Sequence, residues 1–248
     1  MSGHNKWSTI KRKKGALDSK RSKIFSRIIK EITVAIKEGG DSDPINNPRL
    51  RVAIINAKGV NMPKENITRA ISKASEKGGA NITECNFEAY ASHGVAVFIE
   101  CATDNEKRTI ANVRSYINKY SGNLGTNGSL RFIFDRKGVF TIPLGTLDQD
   151  EFEMAMIEAG AEDITLEDES FTVTTALEDF GAIQRKLEEL KIEAENAELE
   201  RIPKTYVKVE IESARKVMKL IDLLEDDDDV QNVFHNMEMT DELMASYE

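Results

Sequence analysis

Residues 136–203 spell strand, helix, strand, strand, helix, strand, and few folds accept that order. The reading rests on a strand-like run over 138–143, a helical period over 148–159, strand-like runs near 163–166 and 171–175, a helical period over 178–190 and a strand-like run at 193–200. This is the ferredoxin-like unit. The flanking residues supply two halves of a second unit. Strand 95–103, helix 105–120 and an alternating stretch at 129–135 precede the first unit, and strand 205–211, helix 213–224 and strand 230–236 follow it. Either half alone would leave a bare strand edge and an uncovered apolar face, so the halves are expected to join. The expectation is one ferredoxin-like domain (136–203) inserted in another (80–135 plus 204–240).

The first 79 residues have a different period. A helix is expected from Asp18 as N-cap to about Glu38, before Gly39-Gly40, with Phe25, Ile28, Ile29, Ile32 and Ile36 on one stripe. Lys20, Lys23, Arg27 and Lys30 fall on the opposite side. Pro48 fits the first turn of a second helix capped by Asn47, with Leu50, Ala53, Ile54 and Ala57 inward. Pro63 opens a third, with Ile67, Ala70, Ile71 and Ala74 inward and Arg69, Lys73 and Lys77 outward. The fold class is therefore α+β, a three-helix N-terminal domain (1–79) followed by the two ferredoxin-like domains.

Charge divides the chain at the same place. Residues 1–78 hold 18 Lys and Arg against 7 Asp and Glu, a net of +11; the remainder holds 16 against 36, a net of −20. The overall formal charge of −9 conceals this split. A basic module on an acidic body points to a polyanionic partner that meets the N-terminal end. Lys6, Lys11, Arg12, Lys13, Lys14, Lys20, Arg21, Lys23, Arg27 and Lys30 accompany Trp7, the one tryptophan of the chain. Such cations neutralise phosphates and release counterions, and the indole can stack on a base. The competing reading is a solvated helix face with Trp7 in a small core.

Catalytic chemistry has little support. There is no nucleophile elbow, Walker A or HExxH pattern. Cys85 and Cys101 lack zinc-ligand spacing, and Cys101, in an apolar run, reads as a small core residue. His93, before Gly94, reads as a turn residue, and the four aspartates 226–229 as a solvated turn rather than a divalent-metal site. Asp104 and Asn105 can cap the helix that follows. The Gly-rich loop 121–128 lacks the Lys-Ser/Thr of a P-loop. Gly122 fits a left-handed helix terminus, and the loop's backbone amides could hold a phosphate. Lys137-Gly138-Val139-Phe140 matches part of an RNA-recognition signature but lacks its second aromatic. No cofactor, metal or small-molecule substrate is expected. The longest apolar run, 95–99, is too short to span a membrane.

Several of these segments resemble the YebC/PmpR family. They are Ser2-Gly3-His4-Asn5-Lys6-Trp7, Ile10-Lys11-Arg12-Lys13-Lys14, Lys20-Arg21-Ser22-Lys23, Asn47-Pro48-Arg49-Leu50-Arg51, Asn61-Met62-Pro63-Lys64-Glu65-Asn66-Ile67, Thr103-Asp104-Asn105, Gly122-Asn123-Leu124-Gly125 and Asp228-Asp229-Val230-Gln231. The chain departs from the pattern at Asn5, Ser8 and Ala91-Ser92-His93. The resemblance implies three domains and a non-enzymatic, cytoplasmic regulator of gene expression of the DNA-binding transcriptional type. Its alternative is a ribosome-associated translation factor that contacts ribosomal RNA and relieves stalling. Because the match begins almost at Met1, no room for a transit peptide is expected. DNA or ribosomal RNA is thus the expected partner. A pure protein-interaction adaptor is a third possibility.

Overall fold

The computed structural model describes residues 18–76, 81–167 and 169–245, with side chains from Arg21 onward. Within them the fold is α+β, with two four-stranded sheets. The residues group into two compact units. Of the described residues, one comprises 18–30, 81–135 and 202–245, the other 31–76, 136–167 and 169–201.

Helix α1 (Asp18–Gly39) contributes to both units, up to Lys30 in the first and from Glu31 in the second. Its stripe is less regular than the period predicts. Ile28, Ile32 and Ile36 are buried, but Ile29 is 39% exposed and Phe25 is only half-buried, with the Arg21 guanidinium 5.4 Å from its ring centroid. From Ile32 to Ile36 every side chain is buried, so no polar face remains along that stretch.

The second unit holds α2 (Pro48–Gly59) and α3 (Lys64–Ser75). Asn47 caps α2 as expected, accepting from the Leu50 N–H at 3.0 Å, while its own amide donates to the carbonyls of Ala35 and Asp41. Leu50, Ala53 and Ala57 are fully buried. The sheet of this unit comprises β4 (Phe134–Pro143), β5 (Ala161–Glu167), β6 (Ser170–Ala176) and β7 (Asn196–Pro203), with α5 (Gln149–Glu158) and α6 (Phe180–Leu190) in the crossovers. Its spatial order β5-β6-β4-β7 is the ferredoxin-like order read from the periodicities. Phe140, Ile142, Phe152, Met156, Phe171, Val173, Ile183 and Leu187 form its core.

Helix α2 is fastened to this sheet. Val52 and Ile55 pack on the core. The Asn56 side-chain amide donates to the Ala197 carbonyl at 3.0 Å and accepts from the Ala197 N–H at 2.9 Å. Gly59 must be glycine, because a Cβ there would overlap the Glu195 carbonyl oxygen. Gly138 likewise leaves room for the Phe180 ring, which a Cβ would meet at 2.6 Å. Phe180 in turn lies 4.6 Å from the Phe140 ring, and Phe140 is 1% exposed. The Lys137-Gly138-Val139-Phe140 segment therefore offers no open stacking ring.

In the first unit β1 (Thr83–Tyr90), β2 (Ala96–Thr103), β3 (Asn123–Leu124) and β8 (Val230–His235) form an antiparallel sheet in the order β3-β1-β2-β8. Helices α4 (Glu106–Lys119) and α7 (Ile211–Glu225), with the short α8 (Asp241–Ala245), cover one face. Val97, Ile99, Val113, Ile117, Met218, Ile221 and Val230 lie in that core. Ala96, Phe98, Leu130, Phe134 and Phe234 form a smaller cluster on the alternate strand positions. Three local readings change here. Strand β1 had no counterpart in the periodicity. Residues 129–133 are turns, not a strand. Residues 205–211 contribute one isolated bridge, Val207 with Met237, because their inward residues Val207, Val209 and Ile211 pack on the core without a neighbouring strand.

Candidate nucleic-acid interface

Of the residues expected to meet nucleic acid, Lys6, Trp7, Lys11, Arg12, Lys13 and Lys14 lie outside the described residues. Lys20, Arg21, Lys23, Arg27 and Lys30 lie on α1. The last three face inward, onto the acidic loop after α7. Lys23 Nζ is 2.6 Å from Asp226 Oδ1. Arg27 donates to the Glu225 carbonyl, and burial lowers its pKa against the raising influence of Glu225, Asp226 and Asp228. Lys30 Nζ donates to the carbonyls of Ala102 and Asp228, at 2.9 and 2.7 Å, and to Asp229 Oδ1 at 2.9 Å.

Asp229 corrects the solvated-turn reading of the four aspartates, since it is 4% exposed. Its Oδ2 accepts from Arg108 Nη2 at 2.6 Å, Arg108 Nε at 3.2 Å and Thr109 Oγ1 at 3.0 Å. Burial alone would raise this carboxyl's pKa. Hydrogen bonds from Arg108, Lys30 and Thr109 outweigh it and hold the group at about 2. Asp227 is also occupied, by Asn112 Nδ2 at 3.1 Å and the Tyr116 hydroxyl at 3.0 Å. Burial and that contact raise the Tyr116 pKa. The physical reason for this anchoring is visible in the sequence. Four acids at a helix C-terminus oppose the macrodipole unless cations meet them.

Asn105 caps α4 by accepting from the Arg108 N–H at 3.1 Å, and Asp104 pairs with the Arg108 guanidinium at 2.8 Å.

The Gly-rich loop is occupied by the protein's own anion. Glu88, on β1, accepts from the N–H groups of Gly128 (2.7 Å) and Leu130 (2.6 Å) and from the Ser129 hydroxyl (3.1 Å). A phosphate there would have to displace a buried carboxylate. The left-handed residue at the end of α4 is Ser121 (φ 58°), not Gly122. Gly122 is required for a different reason: a Cβ would sit 2.8 Å from the Tyr90 carbonyl oxygen.

His93 occupies the turn between β1 and β2 with φ 62°, as a turn residue does. Cys101 is buried, as expected. Cys85 and Cys101 are directly opposite on β1 and β2, both as free thiols. Their mutual contact lowers the Cys85 pKa and raises that of Cys101. Among the described residues no group of three His, Cys, Asp or Glu side chains could hold a metal ion, and no helix is long and apolar enough to cross a membrane.

A further polar surface was only partly read from the sequence. Lys64, Glu65, Thr68, Arg69, Ser72, Lys73 and Glu76 line one depression on the exposed side of α3. The cations of α2 have partners: Arg49 with Glu38, Arg51 with Glu188, Lys58 with Glu193. Among the described residues, Lys64, Arg69 and Lys73 have none. The outward periodicity of α3 was the available signal, and it identified Arg69 and Lys73 but not their freedom.

Family models match residues 5–77, as the TACO1/YebC protein N-terminal domain, and residues 82–237, as the TACO1/YebC second and third domain. The chain belongs to the TACO1/YebC family. Among TACO1/YebC relatives, a "Probable transcriptional regulatory protein" of Amoebophilus asiaticus is 50% identical over 240 residues, 96% of this chain and 98% of its own. A protein of the same description from Geobacter sp. strain M21 is 50% identical over 245 residues, 98% of each chain. The crystal structure of a conserved hypothetical protein from Aquifex aeolicus superposes with a TM-score of 0.81 at 40% identity, covering 92% of this chain and 94% of that one. In this TACO1/YebC chain, two segments that carry the family resemblance meet at one place. Thr103-Asp104-Asn105 and Asp228-Asp229 are joined through Arg108 and Thr109. Their shared role is to hold α1, α4 and the loop after α7 together.

Proposed function

We propose that this chain is a non-enzymatic regulator of gene expression that binds nucleic acid through its basic N-terminal segment. The observation that carries the reading is the charge split, +11 over residues 1–78 against −20 over the rest, in a chain whose full-length relatives are described as probable transcriptional regulatory proteins. Because Lys23, Arg27 and Lys30 are turned onto the 225–229 segment, phosphate contact falls to the remaining candidates, Lys6, Lys11, Arg12, Lys13, Lys14, Lys20 and Arg21, with Trp7 as the candidate stacking ring. Localisation to the cytoplasm belongs to the same reading.

Crosslinking in cells, with both DNA and RNA recovered and sequenced, tests it. Promoter or other duplex DNA should be enriched, and changing Lys11, Arg12, Lys13 and Lys14 together to Glu should abolish recovery while the melting temperature stays unchanged. Affinity in vitro should fall with salt, with a log–log slope of about −0.9 per phosphate neutralised. Enrichment of ribosomal RNA instead would establish the translation-factor alternative. Binding that ignores both salt and the four-Glu change would overturn the reading in favour of a protein adaptor.

A further inference from the structure

Helices α2 and α3 are joined by residues 60–63, a four-residue turn. Helix–turn–helix units that bind DNA use turns of three to four residues, and their second helix lies in the major groove. The turn here is fixed. Asn61 takes the left-handed conformation (φ 54°), the Met62 N–H donates to the Ala57 carbonyl at 2.9 Å, and the Met62 side chain is 5% exposed.

The two helices are furnished for different tasks. Helix α2 is committed to its own unit, through Leu50, Ala53 and Ala57 in the core, Asn56 on Ala197 and three cations on Glu38, Glu188 and Glu193. Helix α3 buries Ile67 and Ala70 and leaves the opposite face open. On that face Lys64, Thr68 and Ser72 form one i, i+4, i+8 row and Glu65, Arg69 and Lys73 the next. At 1.5 Å per residue the twelve-residue helix is about 18 Å long, and the major groove is about 12 Å wide and admits one α-helix.

Glu65, in the first turn of α3, favours the helix macrodipole, and four residues before Arg69 it is also placed beside that guanidinium to meet a base edge. In the major groove a carboxylate accepts from the cytosine amino group, an Arg donates two bonds to guanine O6 and N7, and Ser and Thr hydroxyls contact either kind of base. Lys64 and Lys73 lie near the two ends of the same face, where they can reach phosphates.

We propose that α3 is a recognition helix for duplex DNA, with Glu65, Thr68, Arg69 and Ser72 directed at base edges and Lys64 and Lys73 at the flanking phosphates. This rests on the nucleic-acid-binding reading above and adds to it the element, the partner and the mode of contact.

The test uses the full chain and two probes, a pool of DNA duplexes with a randomised core and an RNA pool of the same length, at about 0.15 M salt. Repeated selection should enrich a short guanine-containing duplex motif. Arg69→Ala should weaken binding to the enriched duplex about 5- to 150-fold and relax the preference at one position. Lys73→Ala should weaken all duplexes alike and reduce the salt slope by about one contact. Arg69→Lys keeps the charge but loses the bidentate geometry, so it should also relax the preference; it serves as the second variant should Arg69→Ala melt early. Salt-dependent binding without an enriched motif, an enriched motif indifferent to Arg69, or a preference for the RNA pool would each overturn the recognition-helix proposal and leave nucleic-acid binding standing. Failure of the unmodified chain to bind either pool would overturn both.

Discussion

Replacing Asp229 with Asn should be among the costliest single polar changes in the first unit. The carboxylate accepts four hydrogen bonds from Lys30, Arg108 and Thr109, and Asn keeps the shape while placing an amide against those donors. Breaking a buried pair by removing one partner costs about 3–5 kcal/mol. The partners can regain some water, since the Arg108 side chain is 46% exposed and that of Lys30 19%. That places the expected loss below that range, at about 2–3 kcal/mol. Acid provides an independent check. The pKa of Asp229 is about 2 in the folded chain against an ordinary 3.8, so the folded state favours the ionised form. Its stabilising contribution is complete above about pH 4 and disappears as pH falls through 2. The shift corresponds to at most about 2.4 kcal/mol, and to about 1–2 after allowance for solvent screening. Urea unfolding at pH 7, with hydrogen exchange reporting on residues 102–120, should show the loss. Repeated between pH 5 and 2, it should show the unmodified chain approaching the Asn variant as Asp229 protonates. A variant within about 0.5 kcal/mol of the unmodified chain at pH 7, or a gap that stays constant down to pH 2, would refute the assignment of Asp229 as the anchor.

Two further changes probe close approaches. Glu88→Gln removes the charge that three donors converge upon, and urea unfolding should register a loss of about 1.5–3 kcal/mol, with faster amide exchange at Gly128 and Leu130. Gly59→Ala places a methyl group where the Glu195 carbonyl lies, so α2 must shift; thermal melting should fall by several degrees while the spectrum of the first unit is retained.

Helices were the most legible part of the sequence, because burial repeats at 3.6 residues and caps are chemically marked. The Asn47-Pro48 pair marks the start of α2 by its chemistry alone, a side-chain acceptor followed by a residue with no N–H to satisfy. Strand β1 was not legible. Its inward residues, Cys85, Phe87 and Ala89, include two small ones, and the intervening Glu84, Asn86 and Glu88 are residue types that strands disfavour. Residues 205–211 misled in the opposite direction: their alternation records burial on one side, which an extended segment acquires without strand partners. The basic side of α1 was legible as charge but not as geometry. Nothing in the spacing of Lys23, Arg27 and Lys30 states that residues some 200 positions later will supply their acceptors. The one available hint was a run of acids at a helix C-terminus, which calls for cations.

The pairing of Asn56 with Ala197 has a consequence for how the chain behaves among its neighbours in a crowded solution. Strand β7 is the outermost of its sheet, and an outermost strand presents free N–H and C=O groups to any extended peptide that meets it. Asn56 fills both backbone groups of Ala197 with one side-chain amide, imitating a passing strand for the length of a single residue. One turn later in α2, Gly59 lets the helix lie against Glu195, two residues from that contact. Together they leave an incoming chain no room to dock at the start of β7, so the helix also guards that edge of the sheet against recruiting other molecules.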